Sequence, residues 1–229
     1  MSTRNPAQLM PIANSQRTRA PAHLPQAHDL AGSIELIGAP MPFARNSEIY
    51  GEGEAAEFLY KVVSGAVRTY KILGDGRRQI GDFYLPGDIF GLEVGDEHQL
   101  SAEAIGDSTI LVIKRSALIA LATRDSDLAR QLWTFTARAF DRVQNHLLLL
   151  IRSAQERVAC FLLEMAGRLQ VTDTMELPMS RQDIADYLGL TIETVSRTLT
   201  QLETQAAIEL PTARRVVVRN RAVLRRLNG

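Results

Sequence analysis

Cysteine is nearly absent from this chain: its 229 residues include one, Cys160. A lone thiol excludes an internal disulfide framework. It also excludes cysteine-held zinc and iron–sulfur clusters, which draw several thiolates from one chain. Histidine is scarce, with His23, His28, His98 and His146 scattered along the sequence. A metal enzyme on a cupin-like barrel would need clustered ligands and lacks them here. No nucleophile motif or glycine-rich phosphate loop is present, so no catalytic residue is assigned and the chain reads as a non-enzyme. No apolar run approaches about 18 residues and Met1 to Met10 is polar, so neither a membrane span nor a secretory leader is expected and the chain reads as cytoplasmic. An excess of charge is missing too: 26 basic residues balance 26 acidic ones, and the net charge announces no polyanionic partner.

The distribution of charge says more. From Arg214 onward the chain carries Arg214, Arg215, Arg219, Arg221, Arg225 and Arg226 without an acid. Such a local excess attracts phosphate whatever the net balance, although a solvated tail has the same composition. At the other end, residues 1–28 are rich in Pro, Ala, Gln, Ser and Asn and have little apolar periodicity, which predicts a flexible arm.

From residue 29 to about 120 the texture is that of short strands with glycine-bearing turns: Ile34 to Ile37, Phe58 to Val63, Ala66 to Leu73, Gln79 to Leu85, Ile89 to Leu92, Leu100 to Ala104 and Thr109 to Ile113. Evenly spaced short strands indicate a sandwich or barrel. Gly74-Asp75-Gly76 reads as a hairpin turn, and Pro86-Gly87-Asp88 as a second corner.

Helical periodicity takes over after Arg115, and the segment from about Ser126 to Arg152 has no proline or glycine. Trp133, Thr136, Phe140, Val143, Leu147 and Leu150 alternate at spacings of three and four, the pattern of a coiled-coil seam. A second stripe, Leu128, Leu132, Phe135, Ala139 and Leu149, lies on another face. Two apolar faces need two covers, so one is expected on the chain's own β domain and the other on a second copy; a helix buried within a monomer is the alternative. A further helix, Ala154 to Leu169, buries Val158, Phe161, Leu162 and Met165, with Cys160 at the boundary of that stripe.

Residues 180–205 meet the demands of a helix-turn-helix. Ser180 is placed to cap a short helix whose inward residues are Ile184, Ala185 and Leu188; Gly189 suits the left-handed turn and Leu190 plugs it. Thr191 caps the second helix, whose core side is Val195, Leu199 and Leu202. Its other side offers Ile192, Glu193, Ser196 and Arg197, a set that matches a DNA major groove: arginine for guanine, glutamate for cytosine, serine for either, isoleucine for a thymine methyl. Glu193 and Arg197 could instead be an ordinary i, i+4 surface pair. Backbone phosphates would be met by Ser180, Arg181, Thr191, Thr194 and Thr200, and by Arg214 and Arg215 on a hairpin wing of Ile208 to Leu210 and Val216 to Val218.

A β-rich domain with a Pro-Gly-Asp-Ile-Phe-Gly corner (Pro86 to Gly91), a long dimer helix and a terminal winged helix with Glu193-Thr194-Val195-Ser196-Arg197 together resemble the Crp/Fnr superfamily over nearly the whole chain. Glu-x-x-Ser-Arg is similar to the Fnr and FixK branches. The resemblance implies an α+β fold: an N-terminal β-roll of the cyclic-nucleotide-binding type (29–120), a dimerisation helix (121–152) and a C-terminal winged helix-turn-helix (153–229). It implies a homodimeric transcription activator that recruits RNA polymerase and binds double-stranded DNA at a TTGAT-type palindrome. Arg197 would meet guanine, Glu193 the opposite cytosine and Ser196 a thymine. Leu100 stands where cyclic-nucleotide binders place an arginine before Ser101-Ala102, and the cluster cysteines of oxygen sensors are missing, so no cofactor is expected. What remains is a FixK-type regulator of microaerobic and nitrogen-fixation genes. In some such proteins an oxidation-sensitive cysteine precedes the first motif helix; Ser180 holds that place here. A β-roll gated by an unidentified effector is the competing reading.

Overall fold

The computed structural model describes residues 37–227. The arm at 1–28 and most of the strand expected at Ile34–Ile37 lie outside the described residues. The first described strand is β1 (Gly38–Phe43), followed by β2 (Glu48–Tyr50), β3 (Phe58–Ser64), β4 (Val67–Ile72), β5 (Arg78–Tyr84), β6 (Ile89–Phe90), β7 (Ser101–Ala104) and β8 (Ser108–Lys114). They form two four-stranded antiparallel sheets, ordered β1-β8-β3-β6 and β2-β7-β4-β5.

The apolar run of β8 follows from its position. Strand residues alternate between faces, and the first sheet is covered on both. Tyr60, Val62 and Ile110 point between the sheets with Tyr50, Val67 and Phe90. Leu59, Leu111 and Ile113 point outward against Leu118 and Leu128 of the helices that follow. In the second sheet, Thr69 pairs with Asp82 and Tyr70 with Ile80, leaving Gly81 as a bulge. Ile80, Phe83 and Leu85 pack outward, but into a core that they share with Phe161, Leu162, Ile184, Tyr187 and Leu188. The sheet and the C-terminal helices therefore exclude water together instead of closing two separate cores.

After β8 come α1 (Arg115–Ala122), α2 (Ser126–Leu149) and α3 (Ala154–Arg168). The long helix starts at Ser126, the start of the uninterrupted segment in the sequence, where Asp125 is extended and its carboxylate accepts from the amides of Asp127 and Leu128. It stops short of Arg152. Ser153 starts α3 with a reciprocal capping box to Glu156. The Arg157 guanidinium collects the carbonyls of Leu150 (2.5 Å) and Arg152 (2.9 Å), which the broken helix leaves open. Of the two stripes on α2, the one containing Leu128, Leu132 and Phe135 is covered by the chain itself.

The C-terminal unit contains α4 (Arg181–Leu188), α5 (Ile192–Thr204) and a three-stranded sheet of β9 (Thr174–Glu176), β10 (Ile208–Glu209) and β11 (Arg215–Val218), in the order β10-β11-β9. β9 and the closing helix α6 (Arg221–Leu227) have no counterpart in the sequence reading. Leu224 of α6 is fully buried, so the basic end is a helix packed on the core, not a tail.

Candidate nucleic-acid interface

Local chemistry fixes the two motif helices before any tertiary contact is considered. Ser180 takes an extended conformation. Its hydroxyl accepts from the Asp183 amide at 3.1 Å, and the Asp183 carboxylate accepts from the Ser180 amide at 2.9 Å, closing a capping box. At the other end Gly189 has φ 62°, the left-handed conformation that a side chain would disfavour. Thr191 caps α5 by accepting from the Thr194 amide at 3.2 Å. Ile184, Ala185 and Leu188 are buried against Val195, Thr198, Leu199 and Leu202. One face of α5 is thus fixed inward and the other turned out.

On the outward face Ile192, Glu193 and Arg197 are exposed and Ser196 is half-buried. The Ser196 hydroxyl accepts from Arg181 Nη1 at 3.4 Å, which lays Arg181 across the gap between α4 and α5. Glu193 is held below the usual carboxylate range by its own backbone amide, then by the Thr191 side chain and by the positive charge of Arg197. Among the described residues Glu193 and Arg197 form no direct ion pair. Arg197 therefore extends from α5 without being tied to the helix's own acid.

The phosphate set is less uniform than its sequence suggests. Ser180 and Thr191 spend their hydroxyls on the caps, and Thr194 shares a hydroxyl contact of 3.1 Å with Thr191. The exposed Thr200 donates back to the Ser196 carbonyl. Arg214 is half-buried and donates to the Pro178 carbonyl at 3.1 Å, whereas Arg215 is exposed and lies 3.5 Å from Glu176. The remaining basic run is divided: Arg219 pairs with Glu209, Arg221 donates to the carbonyls of Val171 and Thr172, and Arg225 and Arg226 ride on α6.

On α2, Trp133, Thr136, Phe140, Val143 and Leu147 are exposed along one side, as their spacing implies. Leu150 differs: it is half-buried at the helix cap, with its carbonyl held by Arg157.

One group of functional consequence was missed in the sequence. Asp183 is almost wholly buried and accepts from Arg68 Nη1 at 2.8 Å and from Arg78 Nη2 at 2.6 Å, two arginines of the β-roll. Arg68 also reaches Glu103 at 2.8 Å, and Arg78 reaches Asp186 at 2.7 Å. Burial alone would raise the Asp183 carboxyl. The Ser180 amide and hydroxyl, followed by Arg68 and Arg78, outweigh it and hold the group below its ordinary value. The same carboxylate caps the first motif helix and ties it to the sheet. Ser180-x-x-Asp183 was a readable capping signal, but its arginine partners lie more than 100 residues away.

Between the β-roll and α2 is a cavity of about 420 Å³ whose lining includes Thr69, Asp82, Tyr84, Leu100 and Arg142. Asp82 lies 3.4 Å from Arg142 and 3.6 Å from Arg168, and burial raises its pKa despite them. Cys160 is half-buried with its sulfur 3.5 Å from Arg152, and burial pushes the thiol up. Among the described residues no group of three or more His, Cys, Asp or Glu side chains is arranged to hold a metal ion, and no helix is long and apolar enough to cross a membrane.

Comparison with known proteins agrees with this layout. Residues 40–125 match the cyclic nucleotide-binding domain family and residues 156–227 the Crp-like helix-turn-helix domain family. The chain is 53% identical to the nitrogen fixation regulation protein FixK of Azorhizobium caulinodans, over 86% of this chain and 82% of that protein. It is 42% identical to the FixK protein of Rhizobium meliloti, over 88% of this chain and 97% of that protein. Among solved structures, FixK2 from Bradyrhizobium japonicum superposes with a TM-score of 0.81 at 54% identity, covering 84% of this chain and 98% of that one.

Proposed function

Because the chain belongs to the Crp/Fnr family of transcription regulators, in its FixK-type branch, we propose that two copies of it read a TTGAT-type palindrome and activate genes of microaerobic metabolism and nitrogen fixation. Activation would proceed in the cytoplasm by recruiting RNA polymerase. The proposed division is a β-roll domain at 29–120, a dimer segment at 121–152 whose long helix is Ser126–Leu149, and a winged-helix domain at 153–229. Arg197 donates a bidentate pair to guanine, Glu193 accepts from the cytosine amine, Ser196 approaches a thymine and Ile192 meets a methyl group. Arg181, Thr194, Thr200 and Arg215 make phosphate contacts, joined by Ser180, Thr191 and Arg214 with whatever hydrogen-bonding capacity their internal contacts leave. Trp133, Thr136, Phe140, Val143, Leu147 and the edge of Leu150 form the seam between copies.

The observation that carries this reading is the division of α5 into a buried side of Val195, Thr198, Leu199 and Leu202 and an outward side of Ile192, Glu193 and Arg197. No effector is invoked. The cavity beside α2 has Leu100 where, by the family resemblance, cyclic-nucleotide binders place an arginine, and the Arg142 guanidinium on its wall lies 3.4 Å from Asp82, which suits a cyclic phosphate poorly. The test is a band shift on a TTGAT-type palindrome without added ligand at about 0.1 M salt, where specific and random DNA separate. Preferential retardation of the palindrome is expected, and equal retardation of scrambled DNA would refute the assignment.

A second reading is favoured by the cavity itself, whose volume of about 420 Å³ could admit a small effector. Thermal shift decides between them, since a specific ligand raises the melting temperature by mass action.

A further inference from the structure

Trp133 is three-quarters exposed, although Leu132 beside it packs against the chain's own β-roll cluster. Next to it opens an apolar groove of about 370 Å³, lined by Leu59, Leu118, Ile119, Leu132 and Thr136 among others. Ile119 at its rim is also more than half exposed.

We propose that this groove is the seat for Trp133 of a second copy of the chain, so that each dimer is locked by two reciprocal tryptophans. The proposal rests on the homodimer reading and specifies how the upper end of its interface closes. Register supplies the occupant. In the alternation that runs from 133 through 136, 140 and 143 to 147, Trp133 holds an a position. In a parallel pair an a-position knob enters a hole made by four residues of the facing helix: here Ala129, Leu132, Trp133 and Thr136. Two of these, Leu132 and Thr136, also line the groove. An indole is larger than the aliphatic knobs that such a hole ordinarily accepts. Ala129 is small and clears one side, and the apolar space that Leu132 and Thr136 border is the groove. The indole of the second copy is therefore steered sideways between α1 and α2. This ties the β-roll of one copy to the helix of the other, which aliphatic contacts along the seam would not do.

Trp133 is the only tryptophan in the chain, so intrinsic emission reports on this one side chain. The experiment measures acrylamide quenching and emission maximum of the full-length protein, with oligomeric state followed by sedimentation. The wild-type dimer is expected to show blue-shifted, weakly quenched emission. Ile119→Asp should weaken the dimer about tenfold or more by forcing a carboxylate into an apolar seat, with emission moving red and quenching rising. Val94→Asp, on a fully exposed loop residue outside the groove, should leave both unchanged. Circular dichroism checks that each variant folds. A dimer whose emission is red and freely quenched, or is indifferent to Ile119→Asp, overturns the tryptophan seat and leaves the dimer standing. A protein that stays single at every concentration overturns both.

Discussion

Replacing Asp183 by alanine tests whether the DNA-reading helices are held by the β-roll or merely rest beside it. The substitution removes a carboxylate that accepts from Arg68 at 2.8 Å and Arg78 at 2.6 Å and closes the cap on α4. Breaking one partner out of a buried ion pair costs about 3 to 5 kcal/mol, mostly because the other charge is stranded. Here the stranding is partial, since Arg68 retains Glu103 at 2.8 Å and Arg78 retains Asp186 at 2.7 Å. That brings the electrostatic loss to about 2 kcal/mol, and the lost hydrogen bonds from the Ser180 amide and hydroxyl to the carboxylate add about 1 kcal/mol, while the Ser180 hydroxyl still caps the backbone amide of residue 183. The total, about 3 kcal/mol, is a large share of the 5 to 15 kcal/mol by which domains of ordinary size are stable. Urea unfolding followed by circular dichroism measures it, and Asp183→Asn should recover about 1 kcal/mol by keeping one acceptor oxygen for the cap. A cycle with Arg68→Ala should show coupling above about 0.5 kcal/mol. A loss under about 1 kcal/mol for Asp183→Ala, with no coupling to Arg68, would refute the reasoning.

Three further outcomes follow from the same geometry. Gly189→Ala forces a side chain into a left-handed turn at φ 62° and should cost about 1 to 2 kcal/mol in thermal melts; an unchanged melting temperature contradicts the strained-turn account. Phe83→Ala opens a hole in the core shared by the sheet and the motif helices, where its ring lies 5.2 Å from Tyr187. It should lower stability by about 3 to 5 kcal/mol in one cooperative transition, and a separate early transition of either half would speak against a common core. Because Asp183 titrates below its ordinary range in the fold, its stabilisation is complete above about pH 4 and is lost as the pH falls through the depressed value. The stability gap between wild type and Asp183→Asn should be flat from about pH 5 to pH 8 and narrow below about pH 4; a gap that widens toward alkaline pH contradicts the assignment.

What the sequence made legible was local. Ser180, Gly189 and Thr191 announce the motif because caps and left-handed turns are satisfied by neighbours within a few residues. The inward and outward sides of α5 follow from helical spacing. Most strands of the β-roll are legible where apolar residues run together, but β1 is not, because Gly38–Phe43 carries two prolines and four exposed residues, and neither are β2 and β9, whose three residues each carry too little pattern. The break at Leu150 to Ser153 was hidden by a seam spacing that continues through it; what ends the helix is the Ser153 cap and the reach of Arg157, and capping competes with apolar periodicity without altering it. The joint between sheet and motif was illegible for another reason. Arg68, Arg78 and Asp183 meet only through folding across more than 100 residues, and no spacing rule links them. For the same reason the basic run at the C-terminal end did not reveal that Arg214 and Arg221 donate to carbonyls far back in the chain and that Arg219 pairs with Glu209.

The central claim is that the outward side of α5 reads DNA sequence through Arg197. Selection of preferred sites from random duplexes, run in parallel with wild type and Arg197→Ala, tests it most directly. The account predicts a two-fold symmetric site with one guanine per half that wild type enriches and Arg197→Ala ignores, at a cost of about 1 to 3 kcal/mol per half-site. Enrichment of the same guanine by both proteins, or of no symmetric site by wild type, would contradict it.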